Sequence, residues 1–261
     1  MFEFATDIVL LLAAAAFLAG FVDSIAGGGG LITIPALLLA GASPVDALGT
    51  NKAQGVFGTV SATLSYARHG LVRLAAQTLP ALLAFAGSIL GALVATVVPG
   101  AIFGAVLPLL LVAIALYFAL RPGLDDNDRA ERLPPAMFAA AIVPLIGFYD
   151  GLFGPGTGSF FMLAFVALAG YGVLKATAHT KLLNLASNLG GLVLFSLAGA
   201  VLWKTAIIMG IAQFVGAQLG ARLAMRRGAR LIKPLLVVVC ITLAVRLVAD
   251  PAHPLRLALG W

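Results

Sequence analysis

Cysteine is almost missing from this sequence. The single residue, Cys240, rules out an internal disulfide and is expected to serve packing. Histidine is nearly as scarce. His69, His179 and His253 lie far apart, so no metal site is expected. There is no H-E-x-x-H, no Walker A motif, no Cys/His cluster and no nucleophile–base constellation. The reading is therefore a protein that is not an enzyme and needs no cofactor. Charge is the most telling shortage. Only 10% of residues are Asp, Glu, Lys or Arg, against about 25% in soluble domains. No polar stretch is long enough for a soluble domain, and the longest, 121–134, is expected to be a solvated cytoplasmic linker. The head, with Glu3 and Asp7, carries no Lys or Arg, whereas a signal peptide begins with a basic region. The first apolar run is thus expected to be an uncleaved helix.

Apolar length takes the place of charge. The chain is 62% hydrophobic, with a mean hydropathy of +1.10. Runs at 8–26, 48–67, 79–98, 101–120, 136–153, 178–200, 206–224 and 231–248 are each long enough to cross about 30 Å of hydrocarbon. Two shorter runs, 31–40 and 159–169, reach about half-way at 1.5 Å per residue. The expected fold is an all-α polytopic membrane protein whose main partner is the lipid bilayer. The net charge of +6 comes mostly from loops between apolar runs, so it is read as membrane topology rather than nucleic-acid binding.

The chain repeats itself. Gly20-Phe21-Val22-Asp23, followed by Gly27, Gly28, Gly29 and Gly30, returns 127 residues later as Gly147-Phe148-Tyr149-Asp150, followed by Gly154-Pro155-Gly156-Thr157-Gly158. Gly49-Thr50-Asn51-Lys52 matches Ala178-His179-Thr180-Lys181 at an offset of 129, and Gly87 and Gly91 match Gly216 and Gly220. The predicted organisation is a first transmembrane repeat at 1–120, the linker at 121–134 and a second repeat at 135–261. Each repeat is read as about four long helices plus a glycine-broken half-helix.

Basic residues suggest how the repeats relate. If the short runs do not cross, the loop cations divide five (Arg68, Arg73, Arg121, Arg129, Arg132) against six (Lys175, Arg222, Arg226, Arg227, Arg230, Lys233). If the short runs count as crossings, all eleven fall on one side, leaving Lys204 opposite. Basic residues concentrate on the cytoplasmic side. The second arrangement is therefore predicted, with inverted repeats and both termini periplasmic. Matched helix breaks in such repeats mark a transporter's binding site.

The candidate substrate-binding residues follow from that expectation. Glycine clusters at a helix start present unpaired amides and positive charge, which suit an anion. This selects Gly28, Gly29 and Gly30 and, in the second copy, Gly156, Thr157 and Gly158; Thr157 can add a hydroxyl. Lys52 and Lys181 lie inside apolar helices, where a lysine costs on the order of 3 kcal/mol and usually serves function. Because both stand near the starts of their apolar runs, snorkelling to headgroups is the competing reading. Polar stripes accompany them: Asn51, Gln54, Gly58, Ser61 and Ser65 in one helix, Thr180, Asn184, Ser187, Asn188 and Gly191 in the other. These are read as a groove lining, with interhelical hydrogen bonds as the alternative. Thr50 and His179 occupy matching positions, and His179 can take up a proton. Asp23 and Asp150 are candidate coupling or structural carboxylates, able to pair with the lysines or to hold the broken-helix geometry. The G-x-x-x-G pairs are expected to serve packing.

The motif Gly20-x-x-Asp23-x-x-x-Gly27-Gly28-Gly29-Gly30, with Ile34-Pro35, Gly41-Ala42-Ser43-Pro44 and Ala47-Leu48-Gly49-Thr50-Asn51-Lys52, resembles the sulfite exporter TauE/SafE family of membrane transporters. The resemblance covers nearly the whole chain. It implies a bacterial inner-membrane protein that moves a small sulfur-containing oxyanion or an organosulfonate, of the sulfite or sulfoacetate type. A coupling proton or cation is a possible further partner. The second copy departs from the pattern at Pro155 and Thr157. A passive anion channel and, further off, a membrane-assembly subunit are the competing functions.

Overall fold

The computed structural model describes residues 4–96, 116, 120 and 125–249, and the predicted run at 101–120 lies essentially outside them. Every regular element among the described residues is a helix, with no strand. The helices are α1 (Thr6–Ala26), α2 (Gly30–Leu39), α3 (Pro44–Arg68), α4 (Thr78–Ala95), α5 (Pro135–Leu152), α6 (Thr157–Ala167), α7 (Val173–Leu197), α8 (Trp203–Arg227) and α9 (Ala229–Ala249). Four of them, α1, α5, α8 and α4 with the 3-10 turn before it, are long and apolar enough to cross a membrane. They present exposed leucines and isoleucines, among them Leu11, Leu18, Leu79, Leu82, Leu145 and Ile211. In lipid such faces need no cover.

The order of solvation is inside out. Helices α3 and α7 bury their polar residues, including Thr50, Asn51, Lys52, Gln54, Thr180, Lys181, Asn184 and Asn188. The two helices pack on each other at the centre, wrapped by α8 on one side and α4 on the other. Their polarity is affordable because neighbouring protein, rather than lipid, surrounds it.

Small residues let the surrounding helices close in, and they do so reciprocally. Helix α1 packs on α8, and α5 packs on α4. A Cβ on Gly216 or Gly220 of α8 would run into the carbonyls of Phe17 and Phe21; one on Gly87 or Gly91 of α4 would run into those of Pro144 and Phe148. Phe17 and Phe21 match Pro144 and Phe148 at an offset of 127. The G-x-x-x-G pairs therefore seat each sequence copy's first helix on the other copy's fourth. Helix α5 contains one π-helical turn, Phe138–Ile142, just ahead of Pro144, whose missing N–H interrupts the regular ladder.

Two helices begin well before their apolar runs, α3 at 44 against 48 and α7 at 173 against 178. Helix α3 starts at Pro44 because Ser43 caps it, its hydroxyl accepting the Asp46 N–H at 3.2 Å, and Pro44 suits the first turn. Helix α7 starts at Val173. Lys52 and Lys181 are thus more than two turns inside their helices rather than within one turn of the start. They are only 1% and 0% exposed, which removes the snorkelling reading. Cys240 lies on α9, and its side chain is outside the described set.

The exposed segment 125–134 is tied down more than a solvated linker would be. Asp126 accepts the Leu174 N–H at 2.9 Å and the Ala229 N–H at 3.0 Å, joining the starts of α7 and α9. Asp128 accepts the Gly172 N–H at 2.9 Å and pairs with Lys175 at 2.5 Å. Partial burial opposes ionisation of Asp128, but the hydrogen bonds from Lys175 and Gly172 and the charge of Lys175 outweigh it and hold its carboxyl below the usual range.

Candidate functional site

The two glycine clusters meet. Gly27 ends α1 with φ +79°, and a Cβ there would lie 2.5 Å from the Gly158 carbonyl carbon. A Cβ on Gly158 would lie 2.7 Å from the Gly27 Cα. Only two residues without side chains permit this approach. The Ser159 hydroxyl donates to the Ala26 carbonyl at 3.2 Å, fastening one broken segment to the other. Both short helices, α2 and α6, therefore begin beside the same point.

A cavity of about 20 Å³ sits there. Of the residues selected from sequence, Asp23, Gly28, Gly29, Gly30, Asn51, Asp150, Thr157, Gly158, Asn184 and Asn188 line it. Gly55, Thr59, Gly154 and Gln213 complete the lining. The volume holds one water and leaves no room for an oxyanion of four or more heavy atoms, so the site is narrow in this conformation.

The charges are arranged crosswise. Lys52 of α3 pairs with Asp150 of α5 at 2.7 Å. Lys181 of α7 pairs with Asp23 of α1 at 3.3 Å and also donates to the Asp23 backbone carbonyl. Each lysine thus reaches the carboxylate of the other sequence copy. All four groups are buried, where an unpaired charge would cost several kcal/mol. The carboxylates also occupy the helix starts expected to receive a foreign anion. Asp23 Oδ1 accepts the Gly29 N–H at 3.0 Å, and Asp150 Oδ1 accepts the Thr157 hydroxyl at 2.7 Å. The protein holds its own anions in the cradle.

Hydrogen-bond donors remain available around them. Asn51 Oδ1 accepts from the Thr33 hydroxyl at 2.7 Å and from Gln54 at 3.2 Å. Its NH₂ group is left facing Gly30 and Gly154, within 4 Å of where a Cβ on either would stand. Gln54 therefore orients Asn51 without itself lining the cavity. Asn188 donates its side-chain NH₂ to Asn184 Oδ1 at 3.5 Å, on the α7 side.

Other candidates fall elsewhere. The Thr50 hydroxyl accepts the Leu202 N–H at 3.0 Å, bracing the entry to α8. His179 packs edge-on to Phe165 and Tyr171 and contacts Gln77. Gly156 supplies the left-handed turn before α6, with φ +81°, and Thr180 is buried; neither lines the cavity. The α3 stripe turns out to be divided. Asn51, with Gly55 and Thr59 one and two turns on, faces the cavity, whereas Ser61 donates to the Phe214 carbonyl and Gly58 abuts Gln213. The far part of that stripe serves packing on α8. Gln213 itself had no signal in the duplication, because its counterpart is Ala84.

Comparison with known proteins agrees with the resemblance. The family model described as sulfite exporter TauE/SafE matches residues 12–247. A probable membrane transporter protein, ORF9, of Sinorhizobium sp is 61% identical over all of both chains. Probable membrane transporter protein YfcA of Escherichia coli (strain K12) is 48% identical over 90% of this chain and 87% of its own. YunE of Bacillus subtilis (strain 168), also named a probable membrane transporter protein, is 24% identical over 92% of this chain and 97% of its own. No solved structure matches.

Proposed function

Because the chain belongs to the sulfite exporter TauE/SafE family of membrane transporters, we propose that it carries a small anion, a sulfur-containing oxyanion or an organosulfonate, by alternating access across the bacterial inner membrane. The crossed pairing of Lys52 with Asp150 and Lys181 with Asp23 around one narrow cavity carries this reading. Neither lysine lines the cavity, so an oxyanion that displaces the aspartates takes over what they already use: two ammonium groups behind the lining, a helix-start amide and a threonine hydroxyl. The side-chain amides of Asn51, Asn184, Asn188 and Gln213 add donors. Substrate in, carboxylate out is an exchange of like groups on one set of partners.

The two sequence copies act as inverted repeats, with 121–134 and the other basic loops cytoplasmic and both termini periplasmic. The reciprocal seating of α1 on α8 and α5 on α4 supports this, together with the one-sided basic residues. The salt bridges join the two copies, so breaking and remaking them accompanies any rocking of one against the other. The narrow cavity favours a carrier over a permanently open channel. Liposomes reconstituted with the protein test the proposal by uptake of labelled sulfite and sulfoacetate. Saturable flux is expected for at least one; linear leak, or no flux of any small anion, would contradict it.

A further inference from the structure

We infer that Asp150 is the proton-binding group of the transport cycle, taking up one proton for each monovalent anion bound, so that anion and proton cross together. This rests on the transport reading above and deepens it.

Charge balance comes first. Lys52, Lys181, Asp23 and Asp150 are all buried and sum to zero. A monoanion that entered this neutral set alone would leave a net buried charge, which a low-dielectric interior penalises. A proton taken up beside it restores neutrality.

The geometry selects where the proton goes. Both oxygens of Asp23 are engaged, Oδ1 by the Gly29 N–H and Oδ2 by Lys181. Asp150 differs. Its Oδ1 accepts the Thr157 hydroxyl and pairs by charge with Lys52, while its Oδ2, like the Lys52 Nζ, is buried with no hydrogen-bond partner among the described residues. An acceptor left so is costly, and Asp150 lines the cavity. A proton on Oδ2 makes that oxygen a donor aimed at an anion, and it frees Lys52 to turn to the same ligand.

Among the described residues, the surroundings hold no better proton acceptor. From α3 comes Lys52, and across the cavity Asp23 of α1 and Lys181 of α7 answer each other. Helix α4 sets Ser88 and Ala92 against Gly151. On α5 itself, Tyr149 directs its hydroxyl to the Pro155 carbonyl. His179 is engaged with Gln77, away from the lining.

The step balances. A proton from water on the entry side binds Asp150 Oδ2 as the anion binds. When the anion leaves, the proton returns to water on the other side and the Lys52–Asp150 pair re-forms. One negative and one positive charge have moved together.

Methanesulfonate is the suitable probe, since the anion of a strong acid brings no proton of its own. In lightly buffered liposomes, saturable uptake should remove one proton from the outside medium per anion. An inside-alkaline gradient should drive accumulation of about tenfold per pH unit. Asp150→Asn, whose amide donates permanently, should bind methanesulfonate with an affinity that no longer rises on acidification and should lose gradient-driven accumulation. Thermal melting establishes that the variant is folded. Saturable flux without proton uptake by the unaltered protein overturns the coupling and leaves the transport reading standing; so does a folded Asp150→Asn protein still driven by the pH gradient. Absence of any saturable flux overturns both.

Discussion

Asp23 and Asp150 stand at matching places in two copies of one motif, yet the first has every oxygen engaged and the second keeps one bare. The cause lies a few residues on. Gly27 and Gly154 share a positive φ, +79° and +84°. After it, Gly28 takes φ +102°, a conformation closed to Pro155 at the matching position. The chains diverge there. Gly29 becomes αR and offers its N–H to Asp23, whereas Gly156 is left-handed and Thr157 offers a hydroxyl to Asp150 instead. A near-symmetric scaffold thereby carries one satisfied carboxylate and one under-satisfied one.

The comparison can be broken most strongly at the lysines. Lys52→Ala would strand Asp150 with Thr157 as its remaining donor, at a cost of about 3–5 kcal/mol for a buried pair broken on one side. Lys181→Ala should cost less, because Asp23 keeps the Gly29 amide. Thermal unfolding in detergent or lipid should rank them in that order, and Lys52→Ala/Asp150→Ala should recover part of the loss. Equal losses would mean that the two sites are energetically alike.

The glycines come next. Gly27→Ala and Gly154→Ala both cost about 1–3 kcal/mol for an alanine at positive φ. Gly27 adds overpacking against the Gly158 backbone, about 1–3 kcal/mol. Gly154 meets first the Lys52 Nζ at 3.3 Å, a flexible tip that can give way. Gly27→Ala should therefore melt at the lower temperature of the two.

Thr157→Val tests the hydroxyl that replaces an amide. Losing a hydrogen bond to a charged acceptor should cost about 1.5–3 kcal/mol, with Thr157→Ser close to the unaltered protein. A melting temperature unchanged in Thr157→Val would remove Thr157 from the account.

The smallest effect lies outside the membrane. Asp128 has its folded pKa depressed, so its contribution is complete above the unfolded value near 3.9 and is lost as pH falls through the folded one. Asp128→Asn should lower stability slightly near neutrality and leave it unchanged in acid, where the carboxyl is protonated in any case, so the acid limb flattens. Being half exposed, the group is worth little.

Much of this was legible in the residues. The glycine breaks, the two half-length helices and the packing role of Gly87, Gly91, Gly216 and Gly220 follow from duplication and spacing. Other parts depend on contacts that spacing does not encode. Which lysine answers which aspartate is decided by how α3 and α7 cross at the centre. A stripe at intervals of three and four cannot show that Asn51 faces the cavity while Ser61 faces α8, because the helix lies between two polar neighbours. Alignment carried Thr50 and His179 into the candidate set through proximity to Lys52 and Lys181, but each lies on another helix face from its lysine. Gln213 escaped because duplication flags only residues with a counterpart.

The measurement closest to the central claim is counterflow. Liposomes loaded with unlabelled sulfoacetate or methanesulfonate are diluted into a trace of the labelled anion. The account predicts transient accumulation of label through the unaltered protein and its loss in a Lys52→Ala protein shown to be folded. A leak that never overshoots, or an overshoot undiminished in that variant, would contradict an anion site built on the crossed lysine–aspartate pairs.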